Sequence, residues 1–106
     1  MRKNKVLEVC PVYKTAVILD GKWTILIFRD LLNNKVVRFN ELRRSLGSIS
    51  PKTLTERLTE LEEQGFLTRK MFAEVPPRVE YSLTEKGRGL SIVFDSMAKF
   101  GEKWLD

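Results

Sequence analysis

The stretch Ser50-Pro51-Lys52-Thr53-Leu54-Thr55-Glu56-Arg57-Leu58-Thr59-Glu60-Leu61-Glu62-Glu63-Gln64-Gly65 carries a helix with both of its ends written into it. Serine at an N-cap supplies an acceptor for free N–H groups, proline is tolerated at the first helical position, and glycine past the last turn permits a left-handed C-cap. At about 100° per residue, Leu54, Leu58 and Leu61 fall within a ~60° stripe. Lys52, Glu56, Thr59 and Glu63 take the opposite side, flanked by Thr53, Thr55 and Glu60, so one face suits a core and the other points outward. Just upstream, residues 40–46 read as a compact helix and Gly47-Ser48-Ile49 as a tight turn. Two short helices joined in this way predict a helix-turn-helix.

Outward from this unit, Cys10-Pro11 opens a first helix that Asp20-Gly21 ends. Residues 22–32 are apolar almost all round, which predicts the central buried helix. Residues 36–39 read as a short strand leading into the helix at 40–46. Beyond Gly65, residues 66–73 and 78–83 are rich in aromatic and β-branched types and flank Glu74-Val75-Pro76-Pro77, where two prolines stop strand pairing. This predicts a β-hairpin whose Val79, Tyr81 and Leu83 face the helices. Thr84 then caps one last helix over about 84–105, with Leu90, Val93, Phe94, Met97, Phe100 and Trp104 spaced by three or four. The expected architecture is mainly α with a small β-hairpin wing (α+β), a winged helix-turn-helix in a single domain over residues 1–106.

The 106 residues suit one domain, with 42% hydrophobic and 31% charged residues. No apolar run approaches the ~18 residues of a membrane span, and the basic start is not followed by a signal-type apolar stretch, so a cytoplasmic location and no membrane partner are expected. A net charge of +5 and a pI near 9.6 favour polyanionic partners. With no histidine and a single cysteine, neither a His-based acid/base relay nor a Cys/His zinc cluster can be built. No enzyme, metal or cofactor is expected.

Four blocks carry a family resemblance: Gly21-Lys22-Trp23-Thr24, Arg38-Phe39-Asn40-Glu41-Leu42, Leu54-Thr55-Glu56-Arg57-Leu58, and Val75-Pro76-Pro77-Arg78-Val79-Glu80-Tyr81-Ser82-Leu83-Thr84. In this order and spacing they closely resemble the HxlR-type helix-turn-helix regulators, over residues 10–104. The resemblance implies a prokaryotic winged-helix transcription factor related to the MarR regulators and acting as a dimer. It also implies that some members sense electrophiles or oxidants through a cysteine beside the first helix, and Cys10 stands in that position.

Under this view residues 50–64 form the recognition helix, whose N-terminal part enters the major groove of double-stranded DNA. Ser50, Pro51, Lys52, Thr53 and Thr55 are the base and phosphate candidates, because lysine and hydroxyl groups reach guanine acceptors and phosphates and threonine methyls meet thymine. Glu56, Glu60, Glu62 and Glu63 repel phosphate, so only the first half can lie deep. Arg57, at the edge of the apolar stripe, suits a phosphate contact and an intrahelical pair equally. Arg38, Arg43 and Arg44 suit backbone contacts or a solvated charged face. Arg78, on the wing, is directed to a minor groove, against simple pairing with Glu74 or Glu80.

The last helix carries more apolar surface than a chain of this size hides, which predicts a homodimer built on helix 1 and on Phe94, Met97, Phe100 and Trp104, hence a pseudo-palindromic operator. Trp23 and Phe39 are assigned to the core or this interface. Cys10, at the cap of helix 1 with Lys3, Lys5 and Lys14 close in sequence, sits where thiol reactivity is raised; the alternative is an inert small hydrophobe. Effector, operator and direction of regulation are not encoded legibly. The competing function is a winged-helix protein-interaction module without a DNA role, which the charge and the Lys- and Thr-bearing helix start oppose. A thiol enzyme using Cys10 lacks any histidine to activate it.

Overall fold

The computed structural model describes residues 8–105, in the order α1 (Pro11–Ile18), α2 (Lys22–Asn33), β1 (Val37–Arg38), α3 (Phe39–Leu46), α4 (Pro51–Glu63), β2 (Leu67–Phe72), β3 (Arg78–Leu83), α5 (Glu85–Arg88) and α6 (Ser91–Trp104). The strands form one antiparallel sheet in the order β1-β3-β2. The fold is a winged helix-turn-helix, with α3 and α4 as the paired helices and β2–β3 as the wing.

Local chemistry explains the boundaries. The Ser50 hydroxyl oxygen accepts the Thr53 N–H at 3.1 Å and donates to Thr53 Oγ1 at 2.9 Å, so α4 starts where its cap predicts. Gly65, at φ +82°, ends it. Between α3 and α4, Gly47 at φ +69° closes the first helix with an N–H to the Arg43 carbonyl, and buried Ile49 pins the turn. Leu54, Leu58 and Leu61 are buried on the inner face of α4, each contributing roughly 1.5–3 kcal/mol. They join Ile27, Phe28 and Leu31 of α2, Leu42 and Leu46 of α3, Phe66, Leu67, Tyr81 and Leu83 in the core.

Three expectations need correction. The strand expected over residues 36–39 contains only Val37 and Arg38, and Phe39 already belongs to α3. Glu41 is the reason: its carboxylate accepts the Arg38 N–H at 2.7 Å, which makes Arg38 the cap residue and draws Phe39 into the first turn. The single helix expected over 84–105 is two. Thr84 caps only α5, and at Leu90 the N–H bonds the Gly87 carbonyl three residues back, so the ladder slips before α6 resumes. Finally, α2 is fully buried only along Thr24, Ile27, Phe28 and Leu31, while Ile25, Leu26 and Leu32 are half-buried beside α6.

Candidate nucleic-acid interface

The outer face of α4 begins with Ser50, Pro51 and Lys52, all exposed, followed by half-buried Thr53 and exposed Thr55. The stripe of Leu54, Leu58 and Leu61 presses the opposite face into the core, which fixes the direction in which Lys52 and Thr55 project. Thr53 is committed in part to the cap, since its N–H and its Oγ1 both engage Ser50. Arg57 pairs with Glu60 on its own helix at 3.1 Å. That is the intrahelical arrangement, and both side chains stay exposed enough for the pair to exchange with another anion.

Arg38, Asn40 and Arg44 line one wall of a cleft whose other wall is Glu74, Pro76 and Arg78. The fold therefore brings α3 and the hairpin tip, some 35 residues apart in sequence, around one concave surface. Arg43 and Arg44 also line a second depression with Asn40 and Gly47. Among the described residues, Arg38, Arg43, Arg44 and Lys52 enter no ion pair. Arg78 differs. Only 27% exposed at its side chain, it lies 3.0 Å from Glu74 and 3.1 Å from Glu80 and stacks on the Phe72 ring.

Strand register adds residues that a linear reading overlooks. Glu80 faces Arg38 on β1 and Lys70 on β2, so Arg38, Glu80 and Lys70 form a charged row across the outer sheet face. Alternation along β2 contained the signal for Lys70, but only the pairing of β1 with β3 puts Arg38 in the same row. On the inner face, Tyr81 is 5% exposed, and burial raises its pKa above the ordinary 10.0, with a hydrogen bond and charge from Arg69 pulling the other way and Glu62 on α4 adding to the rise.

At the other end of the molecule the apolar residues of the last helix diverge. Phe94 turns inward and meets Phe28 with ring centroids 6.1 Å apart, so it is chiefly a core residue. Ile92, Phe100 and Trp104 are 71%, 58% and 65% exposed, and Ile92, Met97, Phe100 and Leu105 line an apolar groove. Val12, Tyr13 and Val17 of α1 are exposed as well, and α1 has no buried residue. Trp23 and Phe39 pack against the core. Cys10 is half-buried at the N-cap of α1, with its carbonyl accepting the Lys14 N–H; Lys3 and Lys5 lie outside the described residues. No group of His, Cys, Asp or Glu suited to a metal ion occurs among the described residues, and no helix there is long and apolar enough to cross a membrane.

Known proteins share this arrangement. An HTH-type transcriptional regulator of Synechocystis sp. is 43% identical over 99 residues, covering 93% of this chain and 73% of its own. The crystal structure of a MarR-family transcriptional regulator from Porphyromonas gingivalis W83 superposes with a TM-score of 0.86 at 41% identity, over 99% of both chains. The redox regulator HypR in its oxidized form matches at 0.81 and 42% identity, over 92% of this chain and 99% of its own. The family model for the HxlR-like helix-turn-helix matches residues 18–106. The chain belongs to the HxlR-like helix-turn-helix family, a family of transcriptional regulators.

Proposed function

We propose that this protein is a cytoplasmic homodimer that binds duplex DNA at a pseudo-palindromic operator, with the first half of α4 in the major groove. The observation that carries this reading is the outward projection of Lys52 and Thr55 from a helix anchored by three buried leucines, with Arg43 and Arg44 on the preceding helix entering no ion pair among the described residues. Ser50, Pro51 and Thr53 lie at the positive end of the same helix, which favours phosphate. Arg38, Arg44 and Arg78 around the wing cleft are the backbone-gripping set, and Arg57 can exchange Glu60 for a phosphate. The exposed apolar residues of α1 and α6, with Met97, Phe100 and Trp104 among them, form the two-fold contact that sets the distance between recognition helices.

Cys10 is the proposed sensor of oxidants or electrophiles. Its support is its place at the start of α1, itself a proposed dimer element, and the resemblance to HypR, which is described as a redox regulator. With no second cysteine in the chain, a disulfide must join two subunits or a small thiol. The test of the function is selection of bound genomic fragments by purified protein, followed by gel shifts and sedimentation. Expected are a dimer and a shared palindrome with half-sites about one helical turn, ~34–36 Å, apart. A monomer at micromolar concentration, or equal affinity for every duplex, overturns it.

A further inference from the structure

One short stretch of chain takes up the carbonyl groups that follow α4. At that end the Phe66 N–H donates to the Leu61 carbonyl at 2.9 Å and the Gly65 N–H to Glu62 at 3.0 Å, with Gly65 left-handed, the two bonds of a Schellman motif. The carbonyls of Gln64, Gly65 and Phe66 follow in sequence, and each has a partner from beyond the wing. Lys86 Nζ donates to Gln64 at 2.8 Å, Thr84 Oγ1 to Gly65 at 2.6 Å, and the Thr84 N–H to Phe66 at 3.0 Å. Thr84 Oγ1 in turn accepts the Gly87 N–H at 3.2 Å. Gly87 lies so close to the Phe66 carbonyl and the Leu83 side chain that any Cβ there would collide with both.

The same junction is braced on its apolar side. Lys86 Nζ sits 4.3 Å from the Phe66 ring centroid, Phe66 meets Phe28 edge-on at 5.7 Å, and Phe28 meets Phe94 of α6. Immediately after α5, buried Leu90 leads into α6. The segment that follows α4 is thus joined to the start of α5 by three hydrogen bonds, and a row of three aromatic rings through α2 carries the connection on to α6. A lysine charge at a helix C-terminus also meets the negative end of the dipole, which favours this side chain over a neutral one.

We propose that Thr84 and Lys86 clamp the angle between α4 and α6, which makes Lys86 a positioning residue for half-site spacing although it lies at the end of α4 opposite to Ser50. The inference rests on the DNA-binding dimer proposed above: α6 carries the partner-facing surface and α4 the base-facing one, so the angle between them sets how far apart two recognition helices stand. A loose clamp allows several separations and a tight one selects a single separation.

Lys86→Met keeps most of the stem, removes the ammonium group and leaves the core untouched, since Lys86 is exposed. Affinity is measured on operator variants whose half-site spacing differs by one base pair in either direction. Wild type is expected to prefer one spacing about tenfold, Lys86→Met to lose most of that preference while remaining dimeric, and Lys86→Arg to restore it. Independently of DNA, nitroxide labels at Glu56→Cys and Glu102→Cys in a Cys10→Ser background report the distance distribution between α4 and α6, which should broaden in Lys86→Met. Should Lys86→Met fail to fold, Lys86→Ala, which also removes both the charge and the donor, is measured in its place. An unchanged spacing preference or an unchanged label distribution overturns the clamp. A wild type that binds no duplex, with labels that still broaden, defeats the DNA reading and upholds the clamp.

Discussion

Arg78 lies with its guanidinium carbon 4.0 Å from the ring centroid of Phe72, the residue directly opposite it in the β2–β3 register. Glu74 and Glu80 hold the two sides of that guanidinium, so the wing arginine is already stacked and doubly paired in the free protein. Any DNA contact by Arg78 must exchange a carboxylate for a phosphate rather than engage a free charge.

That competition can be measured. Arg78→Ala is expected to weaken binding to all duplexes alike and to reduce the salt slope of log K by about one. Glu74→Gln should act oppositely, strengthening binding and steepening the slope. A slope unchanged in Arg78→Ala leaves Arg78 as a brace of the hairpin tip alone.

Ser50→Ala removes the acceptor for the Thr53 N–H and should cost about 1 kcal/mol, a fall of roughly 4–8 °C in thermal midpoint. Lys52→Ala should leave that midpoint unchanged within about 0.5 kcal/mol. Its effect belongs to DNA: a loss of about 1–3 kcal/mol in discrimination at one base pair, read by binding to singly substituted operators.

Placing a charge on the exposed end of α6, as in Phe100→Glu or Trp104→Glu, should dissociate the proposed dimer and abolish the proposed operator binding, because one subunit would meet only half of the phosphates. Sedimentation velocity and gel shift read the two effects. The fold should survive, since Leu54, Leu58 and Leu61 pack within the subunit. Persistence of the dimer in both variants would put the interface elsewhere.

Tyr81 yields a pH dependence. Burial raises its folded pKa above 10.0, so the folded protein keeps the phenolic proton to higher pH than the unfolded chain does. The linked stability is fully present below the unfolded pKa and drains as pH rises from about 10 through the folded value. Between about pH 9 and pH 11 the thermal midpoint should fall more in wild type than in Tyr81→Phe, a comparison that cancels the lysine titrations both proteins share. Equal falls would mean that the buried phenol does not contribute.

For Cys10, diamide should change the operator affinity of wild type and leave Cys10→Ser unaffected, with mass spectrometry identifying an intersubunit disulfide or a mixed disulfide. Identical responses in the two proteins would reduce Cys10 to packing at the start of α1.

Much of this architecture is legible in one dimension because its signals are local. Ser50, Pro51 and Gly65 determine both ends of α4 through backbone chemistry within three or four residues, and the period of Leu54, Leu58 and Leu61 determines which side is buried. The pair of prolines at 76 and 77 limits the hairpin, and the absence of histidine removes whole classes of chemistry without reference to any coordinate. What tertiary structure alone decided depends on partners distant in the chain. Phe94 keeps the same helical period as Phe100 and Trp104, yet Phe28 draws it inward while the other two stay exposed. Gly87 is pressed against the Phe66 carbonyl and the Leu83 side chain, a contact with no local signal, and the expected single helix divides at Leu90. For Arg78 the sequence left a minor-groove contact and pairing with Glu74 or Glu80 both open, and the fold pairs it with both carboxylates and stacks it on Phe72. Capping and periodicity act between near neighbours and so were written in the sequence itself, whereas the pairing of charges and the division of an apolar stripe between core and surface depend on which distant segments the fold brings alongside.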